Sequence, residues 1–412
     1  MRALAALLAM LALAPSLAAL PHPNPDPMPN VVVLEPGWVL EQVFEGLVYP
    51  TSLAWRGGEL LVIEQGRYPY AEPYAGQDVG KLRALTFGPD GAVVSARTLA
   101  AKLADPVGLT VGPAGDVWFT HFHGLARLPA ESLDRGAPVV VPHSWAYPSQ
   151  TSDSLYAPVT GTFINTVFGF TPDPLAGDTT GPMGIAFDGQ GRVLVAQGAH
   201  GRPPDDDGVR DVTGLDYDNP YSSSVLAPPG GPLAPGDVVA RGCRNCYDLA
   251  FAPPGNPHAG TLFITENVGP YRARLYAGAN RSLLAGSTAT DVNALDGVDV
   301  VDFATRTFRR AATFRPDGLL LGASPTGIAF APPETPKHAH AMFVALWSGF
   351  TPSTQDRGEV AIVNPDPEHG LGVATPFVIG LDFPTDVAFG PDGALYVVEY
   401  ASGRLWRVAP GG

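Results

Sequence analysis

The residues with the clearest chemical potential are an arginine and an asparagine held between two cysteines, in the stretch Cys243-Arg244-Asn245-Cys246. The guanidinium of Arg244 stays charged at physiological pH and carries a planar set of donors that matches the paired oxygens of an anion. Asn245 adds an amide beside it. The stretch therefore predicts a polar fork for an anionic ligand, while a structural ion pair is the alternative interpretation of Arg244.

The two cysteines are the only ones in the chain. One pair cannot supply the four ligands of a structural zinc site. In an exported protein, a local disulfide between Cys243 and Cys246 is the simpler expectation, with free thiols as the alternative. Such a bond would hold the fork in place.

Two histidine pairs and an acidic stretch could also bind a metal ion. His121 and His123 alternate at the end of a predicted strand, so both imidazoles could face one ion; a structural or surface pair is the alternative. His338 and His340 fall in a turn, which favours solvated side chains. Residues 205–218 are rich in aspartate but lack calcium-loop spacing, so a solvated acidic loop is favoured over a calcium site.

A strand-turn-strand pattern that could position these residues occurs six times. Each copy has an alternating apolar strand, a turn rich in Gly, Pro and Asp, and a second apolar strand. The first apolar residues of the copies are Leu53, Leu109, Ile185, Leu249, Ile328 and Val387. Their intervals leave room for about four strands each, so we predict an all-β fold, a six-bladed β-propeller. A pair of β-sandwiches is the alternative.

Ring closure and the place of the site follow from the propeller prediction. We expect either Val32–Leu34 or Val39–Phe44 to pair with the last blade around Leu395–Val408. The channel mouth should be built by residues just before each first strand and just after each second strand.

Three glutamates recur at the ends of second strands, Glu64, Glu266 and Glu399. They could ring the mouth around a cation, for which Arg244 is the obvious candidate. Alternatively, each glutamate caps its own blade.

Composition and charge exclude several function classes. The 412 residues include 48 glycines and 44 prolines, which disfavours a helical protein. The formal charge of −15 and the absence of a basic run argue against nucleic acid binding.

The N-terminal segment predicts export. Residues 1–19 are typical of a secretory signal peptide, residues 20–30 of a proline-rich leader, and residues 31–412 would form the propeller domain. The apolar run is too short for a membrane span, so we expect a secreted or periplasmic protein.

The fourth copy, with Arg244-Asn245 before Leu249 and the stretch Glu266-Asn267-Val268-Gly269-Pro270 after it, resembles the soluble quinoprotein glucose and sorbosone dehydrogenases. The last copy, residues 383–408, is also similar to that family. The resemblance implies oxidation of an aldose or related sugar by pyrroloquinoline quinone (PQQ), held with calcium.

The resemblance also implies roles for particular residues. Arg244 and Asn245 would contact the cofactor, and the main-chain carbonyls of Gly269 and Pro270 would bind calcium, with Glu266 as a further metal ligand. The chain departs from the family at several positions. Where the family has a histidine base, an acidic residue, a lysine and two arginines, this chain has Thr180, Ala199, the stretch Leu346-Trp347-Ser348, and the neighbourhood of Phe383 and Thr385. His200, beside Ala199, would be the replacement base.

Three functions stay open at this stage. The first is a secreted PQQ-dependent sugar dehydrogenase with a small sugar as substrate. The second is a propeller that has lost catalysis and binds a glycan or a protein at the mouth. The third is a calcium-dependent, lactonase-like hydrolase using the glutamates and Asn267 as ligands.

Overall fold

The protein is described from a computed structural model. The structure describes residues 31–66, 79–103, 106–121, 124–133, 182–198, 224–228, 235–243, 246–267, 296–314, 323–347 and 357–411. The signal peptide and the leader lie outside these residues, so both stay predictions.

Strands dominate the described chain, and they form six sheets. Two strands come first, β1 (Val32–Val33) and β2 (Trp38–Phe44). Blade I contains β3 (Pro50–Arg56), β4 (Glu59–Glu64), β5 (Gly80–Phe87) and β6 (Val93–Leu103). Blade II contains β7 (Leu109–Val111), β8 (Val117–His121) and β9 (Gly124–Leu128), followed by the helix α1 (Ala130–Leu133). Blade III contains β10 (Pro182–Phe187), β11 (Val193–Gln197), β12 (Ser224–Leu226) and, after a 3-10 turn at Pro235–Asp237, β13 (Val238–Arg241).

The second half of the ring continues the pattern. Blade IV contains β14 (Cys246–Phe251), β15 (Leu262–Glu266), β16 (Gly297–Asp302) and β17 (Thr307–Thr313). Blade V contains β18 (Pro325–Phe330), β19 (Met342–Leu346), β20 (Gly358–Asn364) and β21 (Val373–Leu381). Blade VI contains β22 (Pro384–Phe389), β23 (Leu395–Glu399) and β24 (Leu405–Pro410). The six-bladed propeller is thus confirmed. Among the described residues, no helix has the length and apolar character needed to cross a membrane.

The strands form where the sequence alternates, and tight turns join them. The first apolar residues of the six copies all lie in the first strands β3, β7, β10, β14, β18 and β22. Gly115 and Gly393 close two of the hairpins with φ of +79° and +74°, a backbone region that favours glycine. The first strands of adjacent blades contact one another, and apolar clusters fill the spaces between blades.

The ring closes through the N-terminal strands. β2 pairs antiparallel with β24, so that Glu41 lies opposite Arg407, and blade VI gains its fourth strand. β1 adds a fifth strand to blade V by pairing with β21, with Val32 opposite Ile379. The prediction that Val39–Phe44 pairs with the last blade is therefore confirmed. The other candidate segment, Val32–Leu34, lies at blade V instead, through β1.

Threonine hydroxyls link one blade to the next near the channel. The donors and the accepting carbonyl groups are Thr51 and Pro106 (3.1 Å), Thr120 and Met183, Thr265 and Thr326 (2.6 Å), Thr326 and Pro384 (3.0 Å), and Thr385 and Pro50 (2.9 Å). The first strand supplies the threonine in blades I, V and VI, and the second strand supplies it in blades II and IV. These carbonyl groups are buried at the blade boundaries, and the threonine hydroxyls give them hydrogen-bond partners.

Candidate functional site

The channel mouth brings together the starts of the first strands and the ends of the second strands. Antiparallel pairing places Pro50 opposite Glu64, Cys246 opposite Glu266 and Pro384 opposite Glu399. The residues that sequence analysis assigned to the mouth therefore lie on one face of the propeller.

Cys243 and Cys246 are joined by a disulfide at the start of blade IV, with their Cα atoms 5.8 Å apart. Both side chains are buried. Arg244 and Asn245 between them lie outside the described residues, so their role at a cofactor stays a prediction. The disulfide fixes the two positions from which that short loop leaves.

Each of the three recurring glutamates has partners within its own blade. Glu64 forms an ion pair with Arg83 of the same blade at 2.9 Å. Glu399 accepts a hydrogen bond from the amide of Asp382 at 2.8 Å and another from the hydroxyl of Ser402. This arrangement favours the alternative, a cap on each blade, whereas a place for Arg244 among the three carboxylates stays a prediction because Arg244 lies outside the described residues.

Glu266 is neutralised by an arginine that sequence analysis missed. Arg310, in β17, lies with its Nη2 atom 3.0 Å from Oε2 of Glu266 and is also ion-paired to Asp299. Burial lowers the pKa of the Arg310 guanidinium, but Asp299 and Glu266 raise it, and the net direction is upward. Strand alternation could not have revealed it, because the register of β17 shifts at Ala311 and three consecutive residues, Arg310 to Ala312, are buried.

A buried aromatic cluster occupies the mouth where blades V, VI and I meet. The rings of Trp347 and Phe383 lie 4.8 Å apart, and Tyr400 lies 5.2 Å from Trp347 and 5.1 Å from Tyr49. Trp347 is 2% exposed and Phe383 is 9% exposed. The Tyr400 hydroxyl donates to Gln65 at 2.6 Å, which ties the cluster to the end of blade I.

This cluster covers the positions at which the resembled family has cations. Trp347 belongs to the stretch aligned with the lysine, and Phe383 and Thr385 lie near the two arginines. Thr385 is buried and donates to Pro50 across the blade boundary. Tyr49 and Phe383 adopt left-handed backbone angles, with φ of 52° and 57°, which turn their rings into the cluster.

Two aspartates in the first strands, Asp386 and Asp248, were not among the candidate residues of the sequence analysis. Asp386 accepts hydrogen bonds from the Ser52 hydroxyl and the Leu53 amide, both at 2.7 Å. Asp248 accepts one from the amide of Ile328 at 3.0 Å. Each carboxylate thus joins its blade to the next one.

The two aspartates are buried close to each other, and the pKa of each carboxyl group is raised. Burial raises the pKa of Asp386 to about 7. Burial and the nearby Asp386 also raise the pKa of Asp248. Glycines make the close packing possible, since a Cβ atom on Gly184 would lie 2.5 Å from Asp248 and one on Gly327 would lie 2.1 Å from Asp386.

The remaining predicted residues fall into three groups. His121 is half-buried at the end of β8, with its ring 6.0 Å from that of Phe119. His338 and His340 are partly buried at the opposite face, which corrects their interpretation as solvated. Outside the described residues lie His123, Thr180, Ala199, His200, the acidic stretch 205–218, Gly269 and Pro270.

The described part of the mouth does not fit a tricarboxylate quinone. PQQ carries three carboxylates, which require cations or many donors, and the aligned positions hold the aromatic cluster instead. In the described residues, no group of three or more His, Cys, Asp and Glu side chains is arranged to hold a metal ion. Glu266 already faces the Arg310 guanidinium, which competes with a metal for its charge.

Comparison with solved structures shows the same fold in two sugar dehydrogenases and in a carbohydrate-active enzyme. The PQQ domain of pyranose dehydrogenase from Coprinopsis cinerea matches with a TM-score of 0.53 at 13% identity, over 93% of this chain and 98% of that one. The calcium structure of a Trichoderma reesei carbohydrate-active enzyme of family AA12 matches with a TM-score of 0.53 at 16% identity, over 93% and 97%. The soluble aldose sugar dehydrogenase of Escherichia coli, in its apo form, matches with a TM-score of 0.51 at 14% identity, over 90% and 99%.

At these identities the similarity shows the fold alone. No protein-family model matches the chain. No curated protein matches it either.

Proposed function

We propose that the chain is an exported sugar-dehydrogenase-like protein that binds a small sugar at the channel mouth, on the side formed by blades II to IV. The observation that carries this proposal is the likeness to sugar dehydrogenases along nearly the whole of both chains. Export rests on the predicted signal peptide, residues 1–19, and the propeller domain is placed at residues 31–412.

The side of the mouth is chosen from the contrast between its two halves. The aromatic cluster fills the half formed by blades V, VI and I. Polar residues end second strands in both halves, at Glu64 and Glu399 in the first and at Gln197 and Glu266 in the second, but among the described residues only the first half carries the aromatic cluster. Long connections follow β11 and β15, and such loops commonly carry binding residues.

For sugar oxidation the predicted cofactor set is PQQ with calcium. Arg244 and Asn245 would contact the quinone; Gly269, Pro270 and Glu266 would bind calcium; and His200 would be the base. The described half of the mouth lacks the matching cations, so no reaction step is assigned to the quinone.

A second candidate is a propeller that binds a glycan or a protein without turnover. The aromatic cluster favours it, because Trp347 and Phe383 occupy positions that hold charged residues in the resembled family. The lactonase-like alternative gains no such support, since Glu64 and Glu399 are already bound within their own blades.

The test is reconstitution of the mature protein with calcium and PQQ. We expect saturable binding of a small sugar, whereas a saturable change in quinone absorbance followed by dye reduction with a panel of aldoses would establish the PQQ-dependent reaction. If the quinone binds, Arg244→Ala should weaken that binding at least about tenfold, as expected for loss of a charged hydrogen-bonding partner. Arg192→Ala is the matched control, because Arg192 pairs with Asp188 in an exposed turn of blade III.

The other outcomes separate the candidates. Calorimetric binding of a sugar or glycan without quinone binding would replace the dehydrogenase by the binding propeller. Absence of quinone, sugar and glycan binding would overturn the proposal at the mouth.

A further inference from the structure

β1 forms the outer edge of blade V. Its one partner among the described strands is β21, on the side towards the channel. The amide of Leu34, directly after β1, donates to the carbonyl of Phe377 at 2.8 Å. Because successive residues of a strand point their backbone groups to opposite sides, the N–H and C=O groups of Val31 and Val33 point to the free side. A free edge of this kind is where a further strand can pair.

The side chains of this edge also alternate. Val32 and Leu34 point away from the core, with exposed fractions of 42% and 48%. Val31 and Val33 point inward and pack against the apolar core of blades V and VI. The edge of blade V therefore combines a free row of backbone groups with two exposed aliphatic side chains on one face.

The segment that leads into β1 has a strict period of two. In residues 20–30, which lie outside the described residues, a proline occupies every odd position from 21 to 29. Proline has a fixed φ, and the residue before a proline is restricted to extended backbone angles. Both restrictions together favour an extended chain along the whole leader, so its ordering costs little conformational entropy.

Prolines at every second position make such an extended segment one-sided. The N–H groups that proline lacks would all lie on one edge, whereas the opposite edge keeps its donors, at positions 22, 24, 26 and 28. Proline is accepted in edge strands when its missing N–H faces solvent. The leader is therefore suited to pair with one neighbour and to end a sheet.

We propose that the leader, residues 20–30, folds back on β1 and pairs with its free edge as the last strand of blade V. Antiparallel pairing through the non-proline residues places them opposite Val31 and Val33, whose backbone groups face the leader. The prolines then lie opposite Val32 and Leu34, on the exposed face, because opposed residues share a face. Both consequences hold in every register with this alternation, since the strand period and the proline period are both two.

The leader is long enough for this arrangement. A hairpin loop of four residues, a common length, would use residues 27–30. Residues 20–26 then span about 23 Å at about 3.3 Å per residue, more than is needed to cover residues 31–34. The leader is also covalently joined to β1, which gives it an advantage over a strand of another molecule. The arrangement lies on the outside of the ring and is independent of the sugar site proposed at the mouth.

The test is hydrogen exchange of the valine amides, followed by NMR on the exported chain with isotope-labelled valine. The amide of Val33 faces the free edge and that of Val32 faces β21, so the two neighbours compare both sides of one strand. We expect both amides to exchange at least about tenfold more slowly than in an unstructured peptide, as for a hydrogen-bonded group.

Asn24→Pro combined with Asp26→Pro removes donors from the leader edge that would face β1. The exchange of the Val33 amide should then become at least about tenfold faster, while that of the Val32 amide stays unchanged. Pro23→Ala combined with Pro25→Ala is the matched control, because it changes two residues whose N–H groups would face away from β1, and slow exchange at Val33 should persist. Both variants leave every described residue unchanged.

Three outcomes would overturn the proposal. The first is exchange of the Val33 amide at the rate of an unstructured peptide in the wild type. The second is equal protection of that amide in the wild type and in the variant with prolines at positions 24 and 26. The third is protection that rises with protein concentration together with a dimer in analytical ultracentrifugation, which would assign the edge to a second copy of the chain.

Discussion

The two halves of the channel mouth are built on the same repeat but differ in what packs there. In blades V, VI and I, an aromatic cluster lies at the mouth, and in blade VI only residues 400–404 join the second and third strands. In blades III and IV, the second strands end at Gln197 and Glu266, and the longer segments 198–223 and 267–296 lead to the third strands. Aromatic packing therefore fills the first half, and the second half is the one at which we propose ligand binding.

The largest expected effect comes from the aromatic half. Trp347→Ala should lower the free energy of unfolding by about 3–5 kcal/mol, because a buried indole is removed from between Phe383 and Tyr400. Chemical denaturation measures it. Leu371→Ala, at a side chain that is 68% exposed, is the control and should change stability by less than about 0.5 kcal/mol. A large loss of ligand affinity in folded Trp347→Ala protein would break the comparison.

The next effect is a pH dependence in the channel. Asp386 has its pKa raised to about 7 by burial, so the folded state holds a proton that the unfolded chain releases near pH 4. Stability should therefore fall as pH rises from about 4 to 7, by about 4 kcal/mol from this group, and then level off. Glu64, whose pKa burial also raises to about 7, should act in the same direction.

Asp386→Asn isolates this contribution to the pH dependence. The variant should lose stability relative to the wild type at pH 4.5 and recover part of that difference at pH 8, as followed by denaturant unfolding at both pH values. A difference that stays constant between the two would show that Asp386 does not titrate in this range.

A smaller effect is expected at the disulfide in the ligand half. Cys243→Ser combined with Cys246→Ser should reduce stability by about 2 kcal/mol, as expected for a short closed loop. Reduction of the wild type followed by denaturation is the parallel measurement. If this half holds the ligand, the variant should also weaken sugar or quinone binding, whereas unchanged binding would separate the disulfide from the site.

The smallest effect sharpens the comparison by testing what the halves share. Thr385→Val removes one hydroxyl bond between blades and should cost about 1 kcal/mol. Thr265→Val removes the corresponding bond in the other half and also the bond that its hydroxyl accepts from the Asp248 amide, so it should cost about 2 kcal/mol. Thr305→Val, in an exposed turn, is the control. A larger loss at Thr385 than at Thr265 would mean that the halves also differ in how their blades are joined.

The fold was predictable because the repeat is local. Alternating apolar residues around Leu53 or Val387 and turns such as Gly390–Gly393 determine strand and hairpin without knowledge of the rest of the chain. The site was less predictable because its partners are distant. Glu266 is neutralised by Arg310, 44 residues later, and no residue pattern near Glu266 predicts that ion pair.

The histidines show the same limit. His338 appeared to be a solvated turn residue, yet it contacts Glu35, 303 residues earlier, because the N-terminal segment crosses blade V. The aromatic cluster likewise joins Tyr49 to Tyr400 across the closure of the ring. Such contacts depend on which blade meets which, and a repeat pattern does not encode that.

The pairing of β2 with β24 brings together Glu41 and Arg407, which are 366 residues apart. A chain interrupted before β24 would leave β2 and β23 with unpaired backbone edges, and such edges promote association with other chains. These two edges are therefore covered only when β24 is present. Products truncated before β24 should aggregate or be degraded more readily than chains that contain it.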